Sequence, residues 1–191
     1  MEFLTKDEIK KELKIQIDDP LFDDWFIIVE DILVNKEFQV RKLFKHHTKS
    51  VWNHSIEVSF KSYKLANKIY ADERVCAIAG LLHDFYPYAW QYSDELNNYD
   101  SKYLENLNKK LPLLKKHGFV HAREAKNNYL KYFSEYEDKR ISNSILRHMF
   151  PLNIIPPRYL EGWIITFIDK FTSIRDTKYI ISVLLSKNKN F

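Results

Sequence analysis

An all-α fold is what this chain predicts, and three observations predict it. Apolar residues recur at three- and four-residue steps along most of its length, whereas period-two alternation is rare. Capping-type residues (Thr5, Asp72, Asp138) stand just ahead of several apolar runs. Pro20, Pro87, Pro151, Pro156 and Pro157 fall where such runs begin or end. With 191 residues, 45% of them hydrophobic, the chain can bury a normal core and suits one domain, or one domain with a terminal extension.

The elements follow in order. "TKDEIKKELKIQ" carries a cap at Thr5 and acids in its first turn, so the first helix starts there. Pro20 opens a long amphipathic segment, "PLFDDWFIIVEDILVNKEFQVRKLF", because proline is tolerated where its missing N–H would be unpaired anyway. Residues 1–44 are thereby read as an N-terminal helical extension packed on a bundle formed by residues 45–191. A helix about from Val51 to Tyr70 buries Ile56, Phe60, Tyr63 and Ala66 to Ile69. Asp72 caps the next, "ERVCAIAGLLHDFY", which is apolar on nearly every side and therefore central. Residues 87–116 show weak periodicity, as a long binding loop or a plain surface excursion would. Helical pattern returns in "HAREAKNNYLKYF" and in "DKRISNSILRHMF". It closes with "RYLEGWIITFIDKFTSIRDT" and "KYIISVLLSKN", giving seven or eight helices in all.

Composition excludes several functions. Three glycines and no GxGxxG or GxxxxGK[ST] stretch rule out the two glycine-rich phosphate loops. The single cysteine, Cys76, rules out an internal disulfide or a CxxC metal knuckle, and its apolar context reads as core. The N-terminus lacks the apolar stretch of a signal peptide and no run is long enough to span a bilayer, so a cytoplasmic protein without a membrane partner is expected. The net charge of +4 is spread along the chain, with no basic base-reading helix, which speaks against nucleic acid.

All seven histidines lie between His46 and His148. Taken singly, His54 in "VWNHSIEV" and His148 in "ILRHMF" each read first as a hydrogen-bonded core side chain. Asp169 in "WIITFIDKF" is harder to dismiss, since a carboxylate in so apolar a helix is costly to bury unless paired or metal-bound. His83 and Asp84 close another apolar helix. Taken jointly, helices that each offer an imidazole or carboxylate beside a core can converge on one interior metal site. Imidazole with carboxylate suits a first-row transition metal; calcium would be given oxygens only.

The order His54, then His83-Asp84 closing "GLLHD", then Asp169 resembles the HD-domain metal-dependent phosphohydrolases, over roughly residues 45–176. The resemblance implies an HD-domain-like helical bundle. "KKHGFVHA" and "ILRHMFP" are similar to a bacterial branch with the pattern H…HD…H…H…D, which adds His117 and His148 as ligands of a second metal bridged by Asp84. His121 then stands where that branch carries a small residue, as a further ligand, a phosphate contact or a support for a ligand. The chain lacks the GYP signature of the cyclic-di-GMP phosphodiesterases and the acid that follows the pair in the deoxynucleotidase-like branch, so neither activity is implied.

The resemblance implies one or two divalent transition metals (Fe, Mn, Zn, Co or Ni). Metal one falls to His54, His83, Asp84 and Asp169, and metal two to Asp84, His117 and His148. Asp84 is thereby the central catalytic residue. The expected reaction is hydrolysis of a phosphate ester or anhydride in a nucleotide or other small phosphorylated metabolite by a metal-activated hydroxide. Candidate substrate contacts are His121, Lys170, Arg147 and His47, with Arg123 a further cation and His46 beside His47 at the pocket mouth. The aromatics Tyr86, Tyr88, Trp90 and Tyr92 either stack a base or pack the loop onto the bundle. Two alternatives stay open: a non-catalytic metal- or nucleotide-binding regulatory module, and an HD-type nuclease.

Overall fold

The computed structural model describes residues 2–46, 49–89, 110 and 112–187, without the side chains of 176–187. The described residues form eight α-helices and one two-stranded ribbon. Helix α1 (Lys6–Gln16) begins in a capping box: the Thr5 hydroxyl accepts from the Glu8 N–H and the Glu8 carboxylate accepts from Thr5 N–H. Helix α2 (Phe22–Val34) begins two residues after Pro20, not at it. The long segment expected from Pro20 onward is broken at Asn35, whose side chain accepts from Glu37 N–H and so starts the short α3 (Lys36–Gln39). A turn of 3-10 helix (Val40–Lys42) leads into the antiparallel ribbon of β1 (Lys45–His46) and β2 (Lys49–Ser50).

Helix α4 (Val51–Ile69) is capped by Ser50 and stops at Tyr70, which takes the left-handed conformation at φ 58°. Helix α5 (Glu73–Leu82) is capped by Asp72, and eight of its ten residues are buried. It is the centre of the molecule, as its all-round apolar sequence predicts. Helices α4 and α5 meet backbone to backbone: a Cβ at Gly80 would lie 2.9 Å from Ser59 Cα. A buried chain of hydrogen bonds crosses the same contact, from the Trp25 indole N–H to Ser59 Oγ (2.9 Å) and from the Ser59 hydroxyl to Ala77 O (2.6 Å).

Helix α6 (His117–Tyr132) starts four residues earlier than its apolar pattern indicates. Helix α7 (Lys139–Arg147) is capped by Asp138 as expected. Helix α8 (Leu160–Lys187) runs continuously through the two closing segments. Its first turn lies tight on α7 and on the connection between the two helices, since a Cβ at Gly162 would meet Pro157 Cβ at 2.8 Å and Ser144 Oγ of α7 at 3.3 Å. Cys76 is fully buried. No helix among the described residues is long and apolar enough to cross a membrane.

The main core takes side chains from both ends of this order. Ile9, Leu13, Trp25, Phe26 and Val29 of α1 and α2 share it with Trp52, Val58, Ile78 and Leu82 of α4 and α5, and with Ile145 and Ile165 of α7 and α8. Each large apolar side chain fully removed from water contributes roughly 1.5–3 kcal/mol, so this shared core is what holds α4, α5, α7 and α8 around one interior point.

Candidate metal centre

That interior point is Asp84. It follows the last turn of α5, is 3% exposed, and its two oxygens face different neighbours. Oδ2 lies 3.6 Å from His83 Nε2 and 3.7 Å from His46 Nδ1. Oδ1 lies 3.4 Å from His121 Nε2 and 3.7 Å from His148 Nε2. On the Oδ2 side, Asp169 of α8 places Oδ1 3.1 Å from His54 Nε2 and 3.6 Å from His83 Nε2. Three groups of donor atoms result, each mutually within 4.8 Å: His46, His54 and Asp84; His54, His83 and Asp169; Asp84, His121 and His148.

The helices also fix which nitrogen of each ring faces inward. His83 Nδ1–H donates to Gly80 O (2.7 Å), His121 Nδ1–H to His117 O (2.9 Å) and His148 Nδ1–H to Ile145 O (2.7 Å). A proton held on Nδ1 by a backbone carbonyl leaves the Nε2 lone pair free to bind. His121 Nε2 and His148 Nε2 then stand 3.0 Å apart as two acceptors. Two lone pairs at that distance repel unless a proton or a cation lies between them.

Electrostatics agree with a cation site. Burial lowers the pKa of His83, but the Asp84 and Asp169 carboxylates outweigh it and raise it to about 9. Burial and the neighbouring His83 and His121 lower His148 to about 3. Burial would raise Asp84, yet His83, His121, His46 and His148 hold it far below the ordinary carboxylate range. Asp169 is likewise held down, against burial, by His54 and His83. Both carboxylates are thus ionised, in a place where an unpaired charge is costly. His83 Nε2, His54 Nδ1 and Asp84 Oδ1 are buried without a hydrogen bond. Ionised carboxylates, inward Nε2 atoms and orphaned donors together fit a divalent transition metal.

The remaining expected residues fall as follows. His117 is buried beside this cluster but outside the three donor groups. Its ring stacks on His121 (4.6 Å between centroids), and its Nδ1 is 3.3 Å from the Tyr88 hydroxyl. Burial and His121 lower its pKa to about 2, so it is a neutral imidazole. Lys170 lines the cavity above the cluster and its ammonium donates to His148 O at 2.9 Å. Burial lowers the Lys170 pKa, against the opposing pull of Asp169. Arg147 and Arg123 are not among the described residues that line that cavity, and Arg123 is mostly exposed beside Glu124. His47, Trp90 and Tyr92 lie outside the described residues. Tyr86 is fully buried against Phe44 and His117, so it packs the loop and is closed to a base.

Sequence reasoning gave His46 no ligand role, because it sits in a two-residue strand where no helical period marks it. It also ranked His121 below His117, although the two are four residues apart on one helix face and the sequence alone places both toward the same side. The cavity over the cluster has a volume of about 390 Å³ and is lined by His46, His117, His121, Met149, Lys170 and Ile174, among others.

Comparison with curated proteins found no match to this chain, and comparison with solved structures found none either. A family model does match. Residues 51–174, which span from the first residue of α4 to the cavity-lining turn of α8, match the model of the HD domain. Three helices (α4, α6 and α8) and the turns after α5 and α7 deliver paired imidazole and carboxylate donors to one buried point within that stretch, and the chain belongs to the HD domain family.

Proposed function

We propose that the protein is a metal-dependent phosphohydrolase that cleaves an ester or anhydride bond in a nucleotide or another small phosphorylated metabolite. The observation that carries this reading is the placement of Asp84. One buried carboxylate turns an oxygen toward each of two donor groups at the floor of a small-molecule-sized cavity. On this reading His54, His83, Asp84 and Asp169 hold one metal. Asp84, His121 and His148 hold a second, with His117 stacked behind His121. When bound, such metals supply Lewis acidity toward a phosphoryl oxygen and make a water acidic enough to ionise near neutral pH.

The chain's own residues do the rest. The backbone carbonyls of Gly80, His117 and Ile145 accept from the Nδ1–H groups of His83, His121 and His148 and so keep the three Nε2 atoms aimed inward. Lys170, tethered to His148 O, presents a cation on the cavity wall where an anionic phosphoryl group would lie. Met149 and Ile174 give that wall apolar surface, which strengthens charge interactions inside.

The test is hydrolysis of a panel of nucleotides and phosphate esters with Mn²⁺, Fe²⁺, Co²⁺ or Ni²⁺. Turnover that requires metal and disappears in Asp84→Ala and Asp169→Ala is the expected result. Metal binding without turnover anywhere in the panel would instead favour the regulatory-module reading.

A further inference from the structure

We propose that His46 is a direct ligand of the first metal, so that the β1–β2 ribbon is clipped to the bundle through the ion. The inference rests on the metal-centre reading above and adds a fifth protein donor to His54, His83, Asp84 and Asp169.

Position carries the argument. His46 Nδ1 approaches Asp84 Oδ2, the oxygen that faces His83, and not Oδ1, which faces His121 and His148. His46 therefore belongs to the first metal's side of the shared carboxylate. Its ring lies over the His54 ring at 4.3 Å between centroids and 33° between planes, and ligand atoms of His46, His54 and Asp84 all lie within 4.8 Å of one another. The His46–Asp84 separation is 3.7 Å. Two donors bonded to one ion at about 2.1 Å stand about 3.0 Å apart when adjacent and about 4.2 Å apart when opposite. The observed separation falls between those limits, so one ion can bridge the pair with little movement of either side chain.

The ribbon itself supplies the second line. β1 and β2 pair over only two residues each, Lys45 with Ser50 and His46 with Lys49. A two-stranded ribbon is marginal on its own, and this one is anchored by the buried Phe44 and by the bond from Val51 N–H to Phe44 O at 2.7 Å. A metal bond at His46 would fix the ribbon at its inner end. It would also set the chemistry, because three imidazoles and two carboxylates leave one position of six. That arrangement suits Mn²⁺, Fe²⁺ or Co²⁺ over tetrahedral Zn²⁺.

His46 also lines the cavity, so the competing role is contact with the substrate's phosphate. Metal binding without substrate separates the two. Metal-free wild type, His46→Gln and His46→Ala are titrated with Mn²⁺, reading free ion by electron paramagnetic resonance. The expected result is one class of site weakened in both variants by more than the roughly 10–100-fold that loss of a ligand's outer partner costs, with the other class unmoved. Unchanged Mn²⁺ binding, with weaker inhibition of turnover by inorganic phosphate, would overturn the proposal and assign His46 to substrate. A readout on the wild type guards against a variant that folds poorly: acylation of His46 by diethyl pyrocarbonate, followed by mass spectrometry, is expected to be suppressed by Mn²⁺. Equal labelling with and without Mn²⁺ would overturn it. Wild type that binds no Mn²⁺ at all would sink the metal-centre reading itself, whereas wild type that binds as tightly as its His46 variants would sink only this inference.

Discussion

At the scale of single residues, roles in this centre are set by which atom faces inward. His117 and His121 share a helix face, yet only His121 brings Nε2 within 3.4 Å of Asp84; His117 Nδ1 is turned to Tyr88. Spacing places both rings on one side of α6, but the choice between them depends on Tyr88 and Tyr86, which arrive from the loop after α5. That is why the sequence makes His54, His83, Asp84, His148 and Asp169 legible as a group and leaves the rank of His121 open. Lys170 gives a prediction at this scale. Lys170→Met is expected to lower kcat/KM by roughly 10–100-fold, the worth of a charged hydrogen bond. Metal content by elemental analysis should not change, because Lys170 donates to a carbonyl and binds no ligand atom. Unchanged kinetics would remove it from the site.

Among elements, the α4–α5 contact positions the pair His54 and His83, and it leaves no room. Gly80→Ala gains about 1 kcal/mol of helix propensity. Against that, the new Cβ meets Ser59 Cα, a backbone atom that cannot swing away. Overpacking of this kind costs about 1–3 kcal/mol, so thermal unfolding should shift down, and a raised Tm would contradict the packing described. The junction of β2, α4 and α8 carries a second prediction, centred on Glu57. Its carboxylate takes Lys49 at 2.6 Å and Lys61 at 2.5 Å, and pairs with Arg175 as well. Burial would raise its pKa, but Lys49 and Lys61 bring it down to about 2. A carboxylate depressed by folding contributes its stability above the unfolded value near 4.5, and that contribution is lost as pH falls toward 2. Wild type should exceed Glu57→Gln in urea unfolding at pH 7, with the gap closing between about pH 4.5 and 2; a gap independent of pH would refute the assignment. Element ends were readable where a side chain makes the cap, as at Thr5, Asp72 and Asp138. The break at Asn35 was hidden in an apolar pattern that runs on through it, and the ribbon is too short to show any period.

For the molecule as a whole, the N-terminal helices are part of what shapes the centre, since Trp25 of α2 is fully buried and its indole N–H starts the hydrogen-bond chain through Ser59 to Ala77. Trp25→Ala is expected to cost about 3–5 kcal/mol and to weaken metal binding at a distance, because it loosens α4 against α5. Apolar periodicity, caps and proline placement foretold an all-helical molecule with a central apolar helix. They could not tell that α1 and α2 would share that helix's core, which is a matter of which faces meet. The central claim, that these shared elements converge on a metal through Asp84, has a direct test. Tag-free wild type and Asp84→Ala are purified side by side and their transition-metal content is measured by elemental analysis. One to two equivalents in the wild type, largely lost in Asp84→Ala, is the predicted result; no metal in the wild type, even after reconstitution, would contradict it and leave a helical bundle whose buried histidines are structural.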